Sequence, residues 1–165
     1  MYFAVKSAML RDKKLVWIDE TVFTFNTFRK RAWAGKYSRI TISDADAQIK
    51  TIALIAAISE GSGLEAFALH PLSINTEDFI AFIHLLLDKF GNQEFAIFMD
   101  NLRVHKSKQT LEVCKTLKVQ PIFNVPYSPD FNGIETYFSL IKGQYKNMLL
   151  QKLIKGIRPD SSLLV

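Results

Sequence analysis

Three acidic residues stand where the chain is expected to enter or leave regular structure. Asp19 and Asp100 each follow an apolar run, and Glu135 opens a helical pattern. Backbone elements at these positions hold a carboxylate more firmly than a flexible loop does. Three carboxylates brought together form a strongly negative pocket, which is stable only when it binds cations. Oxygen ligands of this kind favour magnesium or manganese over zinc.

A pair of such cations roughly 4 Å apart supports in-line displacement at phosphorus, because one activates the attacking oxygen and the other stabilises the leaving oxygen. Taken singly, each acid also has a plainer interpretation as a capping or solvated residue. Glu135, for example, would complement the dipole of the helix that it opens. The surrounding elements and motifs must decide between the two interpretations.

Apolar and alternating stretches predict the strands of a sheet. Lys14–Asp19 is a short buried strand, and Thr21–Phe25 is a second strand paired to it. Gly61–Gly63 is a turn signal that joins two further stretches into a hairpin in the middle of the sheet. The remaining predicted strands are Thr51–Ser59 and Leu64–Leu69 in that hairpin, then Phe95–Met99 and Val119–Val125, with Pro121 pushing the last one towards a sheet edge.

Three helices alternate with the later strands. The clearest covers Asn75–Phe90, where apolar residues recur at helical spacing, Asn75 can cap the start and Gly91 can close the end. Ser107–Leu117 and a helix from Ile134 follow. Antiparallel strands that lead into strand–helix alternation predict an α/β domain with a mixed central sheet covered by helices.

Composition limits the class of protein. The 165 residues predict one domain, and 48% hydrophobic against 22% charged residues is too apolar for a disordered chain. A single cysteine excludes an internal disulfide framework and a multi-cysteine zinc site. Apolar runs are too short to cross a membrane, and we expect an intracellular protein. The net charge of +5 leaves a polyanionic partner open.

Three stretches carry a family resemblance: Trp17–Thr21, Met99–Lys106 and Pro126–Glu135. They resemble the three catalytic blocks of DDE transposases, in the mariner-like superfamily and its bacterial insertion-sequence relatives. The 34 residues between Asp100 and Glu135 are typical of that superfamily. The segment Arg31–Lys36 is also similar, and the resemblance extends from about Lys14 to Leu149.

The resemblance implies an RNase H-like fold in which three antiparallel strands precede the strand–helix alternation and helices lie on both faces. It implies DNA cleavage by metal-activated water, followed by strand transfer from the freed 3′-hydroxyl. Asp19 would bridge two Mg²⁺ or Mn²⁺ ions, Asp100 would complete one metal site, and Glu135 the other. Implied partners are double-stranded DNA (transposon ends and target) and further copies of the chain in a homodimer or larger assembly. The implied location is with DNA, in a nucleus or a bacterial nucleoid.

Several neighbours have two interpretations each. Lys142 lies two helical turns after Glu135, where it would contact DNA or remain a solvated lysine. The cations around Trp33 would contact DNA phosphates, or flank a core tryptophan; they are Arg29, Arg31 and Lys36.

The polar residues next to the predicted catalytic acids are interpreted as supporting or structural residues. His105 would hydrogen-bond a metal ligand or contact DNA, or would be structural at a helix entry. Asn101 would orient the loop after Asp100, and Asn132 would cap the last helix and so position Glu135.

Two departures from the family pattern qualify this hypothesis. Gly133 stands where relatives usually have proline, which would set the first helical turn. We also expect residues 1–13 to be a short lead-in with no room for a helix-turn-helix domain, residues 14–150 the catalytic core, and residues 151–165 a basic tail.

The alternatives to an active transposase domain are a catalytically idle DNA-binding or regulatory remnant, and another RNase H-like nuclease that cuts RNA–DNA hybrids.

Overall fold

A mixed five-stranded sheet forms the centre of the protein. The computed structural model describes residues 5–6, 12–24, 51–126 and 132–154. The strands are β1 (Lys14–Phe23), β2 (Ile52–Ser59), β3 (Gly63–Pro71), β4 (Phe95–Met99) and β5 (Gln120–Phe123). The helices that pack on them are α1 (Thr76–Phe90), α2 (Lys108–Thr116) and α3 (Ile134–Ile154). The strand order is β3-β2-β1-β4-β5; β1 pairs antiparallel with β2 and parallel with β4.

The first strand is longer than expected. The prediction of separate strands at Lys14–Asp19 and Thr21–Phe25 was wrong, because β1 runs without a break from Lys14 to Phe23. It pairs with β2 from Val16 opposite Ser59 to Phe23 opposite Ile52. No glycine or proline interrupts this stretch, so the alternation after Asp19 continues the same strand.

The hairpin of β2 and β3 lies at one side of the sheet. Gly61 and Gly63 have φ of 82° and 72°, the left-handed region in which glycine is favoured, and they form the predicted turn. The expectation of a central hairpin was wrong in part, since β2 is an inner strand but β3 is the edge strand. At the other edge is β5, which contains Pro121 as predicted.

The predicted helices form, and their starts have the expected chemistry. Asn75 and Asp78 make a reciprocal capping box before α1, with hydrogen bonds of 2.9 Å and 3.1 Å. Gly91 has a φ of 57° and donates its N–H to the Leu87 carbonyl, which ends α1. Ser107 caps α2 by accepting the Thr110 N–H at 3.1 Å.

Apolar side chains on both faces of the sheet hold the helices in place. Phe79, Leu86 and Cys114 of α1 and α2 are buried against Ile18 and other residues of one face. The opposite face packs against α3, whose buried apolar residues are Ile134, Phe138 and Tyr145. The prediction of helices on both faces is confirmed. Within the described ranges, no helix combines the length and apolar character needed to span a membrane.

Candidate active site

The register of the two central parallel strands places Asp19 beside Asp100. Trp17 of β1 is the register partner of Phe98 of β4. Asp19 and Asp100 each lie two residues further along, so they are at the same level on chains whose spacing in a sheet is about 4.8 Å. The middle of β1 and the carboxyl end of β4 therefore bring together two acids that are far apart in the sequence.

Asp19 is almost fully buried, with 7% of its surface exposed. Its Oδ1 accepts the N–H of Glu20 at 2.7 Å, and its Oδ2 accepts a hydrogen bond from Nδ2 of Asn132 at 2.8 Å. Burial raises the pKa of Asp19 to about 7, against the opposing effect of the Glu20 N–H. Three neighbouring carboxylates add to the rise: Glu20, Asp100 and Glu135.

Glu135 reaches the same region through the start of α3. It lies in the first turn of that helix, and its N–H donates to the carbonyl of Asn132 at 3.1 Å. The Asn132 side chain does not cap the helix as predicted, because α3 begins at Ile134, two residues later, and no helix N–H reaches Oδ1 of Asn132; its Nδ2 binds Asp19. Its Oδ1 is buried and has no hydrogen-bond partner in the described part of the chain. Asn132 is thus a link between β1 and the segment that carries Glu135.

Asp100 is held by donors on one oxygen. Its Oδ1 accepts Nδ1–H of His105 at 2.8 Å and the N–H of Leu102 at 3.0 Å, and 38% of its side chain is exposed. Burial alone would raise the pKa of Asp100, but these hydrogen bonds and the positive charge of His105 outweigh burial. The positive charge of Lys106 acts in the same direction, so the pKa lies below its ordinary value.

His105 is fully buried and bridges two carboxylates. Its Nε2 donates to Oε1 of Glu20 at 2.9 Å, and its ring centroid lies 4.5 Å from that of Phe79. Burial alone would lower the pKa of His105, but the hydrogen bonds to Asp100 and Glu20 raise it to about 10. A side chain with 0% exposure has no surface for DNA, so the DNA-contact expectation for His105 is not supported. Its other predicted role, a hydrogen bond to a metal-ligand candidate, matches the observed contact.

The remaining predicted residues are distributed as follows. Nδ2 of Asn101 donates to the carbonyl of Asn124 at 2.8 Å, which ties the segment after Asp100 to the end of β5. Lys142 is half-buried on α3, seven residues after Glu135. The predicted DNA contacts Arg29, Arg31 and Lys36 lie outside the described residues.

Glu20 is the functional candidate whose partner the sequence did not reveal. Adjacent residues of a strand point to opposite faces, so Asp19 and Glu20 serve different surroundings. The available signal was the strand position itself, which requires a charged side chain on the core face to find a partner. Only the packed structure shows that this partner is His105, 85 residues away.

The carboxylates of Asp19, Asp100 and Glu135 are oxygen donors that suit a divalent cation, although the three do not converge on one point in this structure. Among the described residues, no three His, Cys, Asp or Glu side chains are grouped so as to hold a metal ion. Glu135 is exposed, and carboxylates at short range repel one another unless a proton or a cation lies between them. Burial is the main cause of the raised pKa of Asp19, and repulsion from Glu20, Asp100 and Glu135 adds to it. Oxygen donors with uncompensated negative charge fit Mg²⁺ or Mn²⁺.

The sheet order and the helices on both faces define an RNase H-like fold. The family comparison agrees: the model for the DDE superfamily endonuclease matches residues 14–155. The chain therefore belongs to the DDE superfamily endonuclease family, and the resemblance noted in the sequence is confirmed. A search of the curated proteins found no match.

Solved structures with the same fold include two of Mos1 transposase. One is its paired-end complex with left transposon end, at 17% identity over 87% of this chain and 46% of that chain, with a TM-score of 0.65. Another is its catalytic domain with Raltegravir and Mg, at 15% identity over 87% and 67%, with a TM-score of 0.60. An intasome of simian T-cell lymphotropic virus, in complex with PP2A regulatory subunit B56 gamma, matches at 15% identity over 84% and 42%, with a TM-score of 0.58. The chain thus spans less than half the length of the intasome and paired-end complex chains.

Proposed function

We propose that this chain is the catalytic domain of a transposase, which cuts phosphodiester bonds in DNA and joins the freed 3′ ends to a target. The observation that carries the proposal is the level placement of Asp19 and Asp100 on β1 and β4, together with the hydrogen bond from Asn132 that brings the Glu135 segment to Asp19. Membership of a family of endonucleases gives this arrangement its chemical meaning.

Asp19, Asp100 and Glu135 are the residues that would hold two Mg²⁺ or Mn²⁺ ions. When bound, the ions would activate the attacking oxygen and stabilise the leaving oxygen of an in-line displacement at phosphorus. The chain supplies the support for these ligands. Asn132 holds Oδ2 of Asp19, and His105 holds Oδ1 of Asp100, so both acids are oriented from the protein side.

The predicted DNA contacts complete the proposal. Lys142 is on the helix that begins with the Glu135 turn, and a cation there would attract the phosphate backbone near the acids. Arg29, Arg31 and Lys36 remain predicted contacts on the same grounds of charge. The proposed partners are double-stranded DNA and further copies of this chain, inside a cell compartment that contains DNA. Residues 14–150 remain the proposed catalytic core.

A plasmid-nicking assay tests the proposal directly. Supercoiled plasmid incubated with the protein should relax in the presence of Mg²⁺ or Mn²⁺ and stay intact when EDTA is added. Asp100→Asn keeps the Oδ1 acceptor for His105 and the Leu102 N–H but loses the charge. We expect at least a 100-fold loss of nicking with an unchanged melting temperature. A wild-type protein that does not nick, or a fully active variant, would contradict the proposal.

A catalytically idle DNA-binding remnant is the second candidate. It is favoured by one observation: Glu135 is exposed, and it does not form a three-acid group with Asp19 and Asp100 in the described part of the chain. This candidate predicts salt-dependent binding of duplex DNA with no cutting under either metal. Duplex DNA and an RNA–DNA hybrid should be compared as substrates in the same assay, since preferential cutting of the hybrid would indicate a different RNase H-like nuclease.

A further inference from the structure

The side chain of His105 is fixed at both ends inside the protein. It is 0% exposed and lies between Glu20 on β1 and Asp100 at the end of β4, at 2.9 Å and 2.8 Å. The backbone carbonyl oxygen of Asp100 also lies 3.3 Å from Nδ1 of His105, and the ring centroids of His105 and Phe79 are 4.5 Å apart. A ring with two ends bonded and one face packed has a single orientation.

This orientation determines which oxygen of Asp100 remains for other partners. The hydrogen bonds from His105 and from the Leu102 N–H both end on Oδ1. Two donors on one oxygen set the plane of the carboxylate and leave Oδ2 for a cation. Hydrogen bonds of this kind to ligating carboxylates commonly govern metal affinity, and their loss typically costs about 10–100-fold.

Glu20 acts on this arrangement from the opposite end. Its Oε1 accepts Nε2–H of His105, while its Oε2 is buried with no hydrogen-bond partner within the described residues. The bond from Nε2–H to Oε1 fixes one end of the imidazole, so that Nδ1 at the other end points at Asp100.

We propose that His105 and Glu20 are positioning residues of the candidate active site, which together hold Oδ1 of Asp100 so that Oδ2 is presented to a divalent cation. The proposal rests on the proposed function. It extends that function to two residues that touch neither substrate nor cation. A purely structural network would stabilise the segment 101–107 without affecting metal affinity.

Two substitutions of His105 separate the ends of the ring. Asn places its amide nitrogen near the position of Nδ1, and Gln places its amide nitrogen near Nε2. His105→Asn should therefore keep the bond to Asp100, whereas His105→Gln should keep only the contact with Glu20. The measurement is the Kd for Mn²⁺ by calorimetry on the full chain, with the melting temperature of the metal-free protein recorded for each variant.

We expect His105→Asn to bind Mn²⁺ within about 3-fold of wild type, and His105→Gln and His105→Ala to bind at least 10-fold more weakly. Cys114→Ala is the matched control, because Cys114 is equally buried, in α2, and belongs to the apolar core cluster. It should lower the melting temperature and leave the Kd unchanged. Equal Kd values for the Asn and Gln variants, or a weaker Kd in the control, would overturn the proposal.

A double-mutant cycle tests Glu20 separately. If Glu20 acts only through His105, Glu20→Ala should weaken Mn²⁺ binding by about 3–10-fold in the wild-type background and not at all in His105→Ala. Additive losses would overturn its assigned role. Glu20→Gln, which keeps the Oε1 acceptor, should restore most of the affinity. The Glu20 variants also keep the test open if His105 substitutions do not fold.

A metal-free measurement distinguishes failure of this proposal from failure of the proposed function. In ¹⁵N NMR spectra, the imidazole N–H protons of His105 should be protected and downfield. Asp100→Asn should shift the Nδ1–H signal, and Glu20→Gln the Nε2–H signal. If both shifts occur but the wild type neither binds Mn²⁺ nor nicks DNA, the proposed function fails and the inference with it. If the wild type nicks DNA and neither shift occurs, only the positioning role is overturned.

Discussion

Asn132 donates a hydrogen bond of 2.8 Å from Nδ2 to Oδ2 of Asp19, and this contact joins residues 113 positions apart. It connects a central strand to the segment that begins α3. Because Glu135 bonds the Asn132 carbonyl through its own N–H, one asparagine links two of the three predicted catalytic acids. The expected cap is therefore a bridge, and its position makes it a direct target for mutation.

Replacing Asn132 by Ala should affect both stability and activity. The buried carboxylate of Asp19 loses one of its two hydrogen bonds, which we expect to lower the free energy of unfolding by about 1–2 kcal/mol. We also expect at least a 10-fold slower nicking rate, since α3 is no longer tied to Asp19. Urea unfolding and the plasmid assay measure the two effects. Asn92→Ala, at an exposed turn, is the control and should change neither.

The buried carboxylate of Glu65 predicts a pH-dependent stability. It is bonded by Lys14 at 2.5 Å, by Lys89 at 3.0 Å and by the hydroxyl of Ser59. Burial alone would raise the pKa of Glu65, but these three partners lower it to about 2. The unfolded chain keeps the ordinary value of 4.5. The stabilisation is therefore complete above pH 4.5 and is lost as the pH falls towards 2.

Glu65→Gln should remove this dependence. We expect the wild type to lose about 3 kcal/mol of unfolding free energy from this group between pH 5 and pH 2, and the variant to lack that part of the slope. Chemical unfolding at several pH values measures it. Glu60→Gln, in the exposed turn before β3, is the control and should follow the wild type. Parallel profiles for wild type and Glu65→Gln would show that the ion pairs contribute nothing.

Lys142 should contribute to DNA binding through charge. Lys142→Gln removes the cation two helical turns after Glu135, so we expect duplex affinity to fall several-fold and the salt slope of binding to decrease by about 0.9. Titrations at several salt concentrations measure both quantities. Lys115→Gln removes the same charge from an exposed position on α2, across the sheet from α3, and should have little effect. Equal losses in the two variants would indicate a general effect of net charge only.

Gly133 should tolerate a side chain. A Cβ there would lie 3.9 Å from Cε2 of Trp17, an ordinary contact, and the residue is not in the left-handed region. Gly133→Ala should thus raise the unfolding free energy by about 0.4–1 kcal/mol, because the unfolded chain loses freedom. Gly91→Ala is the opposite case, since Gly91 has a φ of 57°, and it should destabilise the protein. A loss of stability in Gly133→Ala would show that α3 needs a flexible start.

The sequence predicted the parts of the fold that depend on local patterns. The helix with its Asn75 cap and Gly91 end, and the buried strand Phe95–Met99, form as expected. Local periodicity and capping chemistry determine such elements before any tertiary contact exists. The errors fall where tertiary pairing decides: Thr21–Phe25 was assigned as a separate strand because alternation alone does not show whether the chain turns at Asp19.

The candidate acids were predicted from their types, order and spacing, because a motif of three blocks is a property of the chain. Which atoms meet was decided by the fold. Parallel register puts Asp19 level with Asp100, and strand alternation turns Glu20 to the opposite face, where His105 is its partner. Asn132 binds Asp19 instead of capping its own helix. Such long-range hydrogen bonds leave no local signal in the sequence, because they form only when the packing of distant elements excludes water from polar groups.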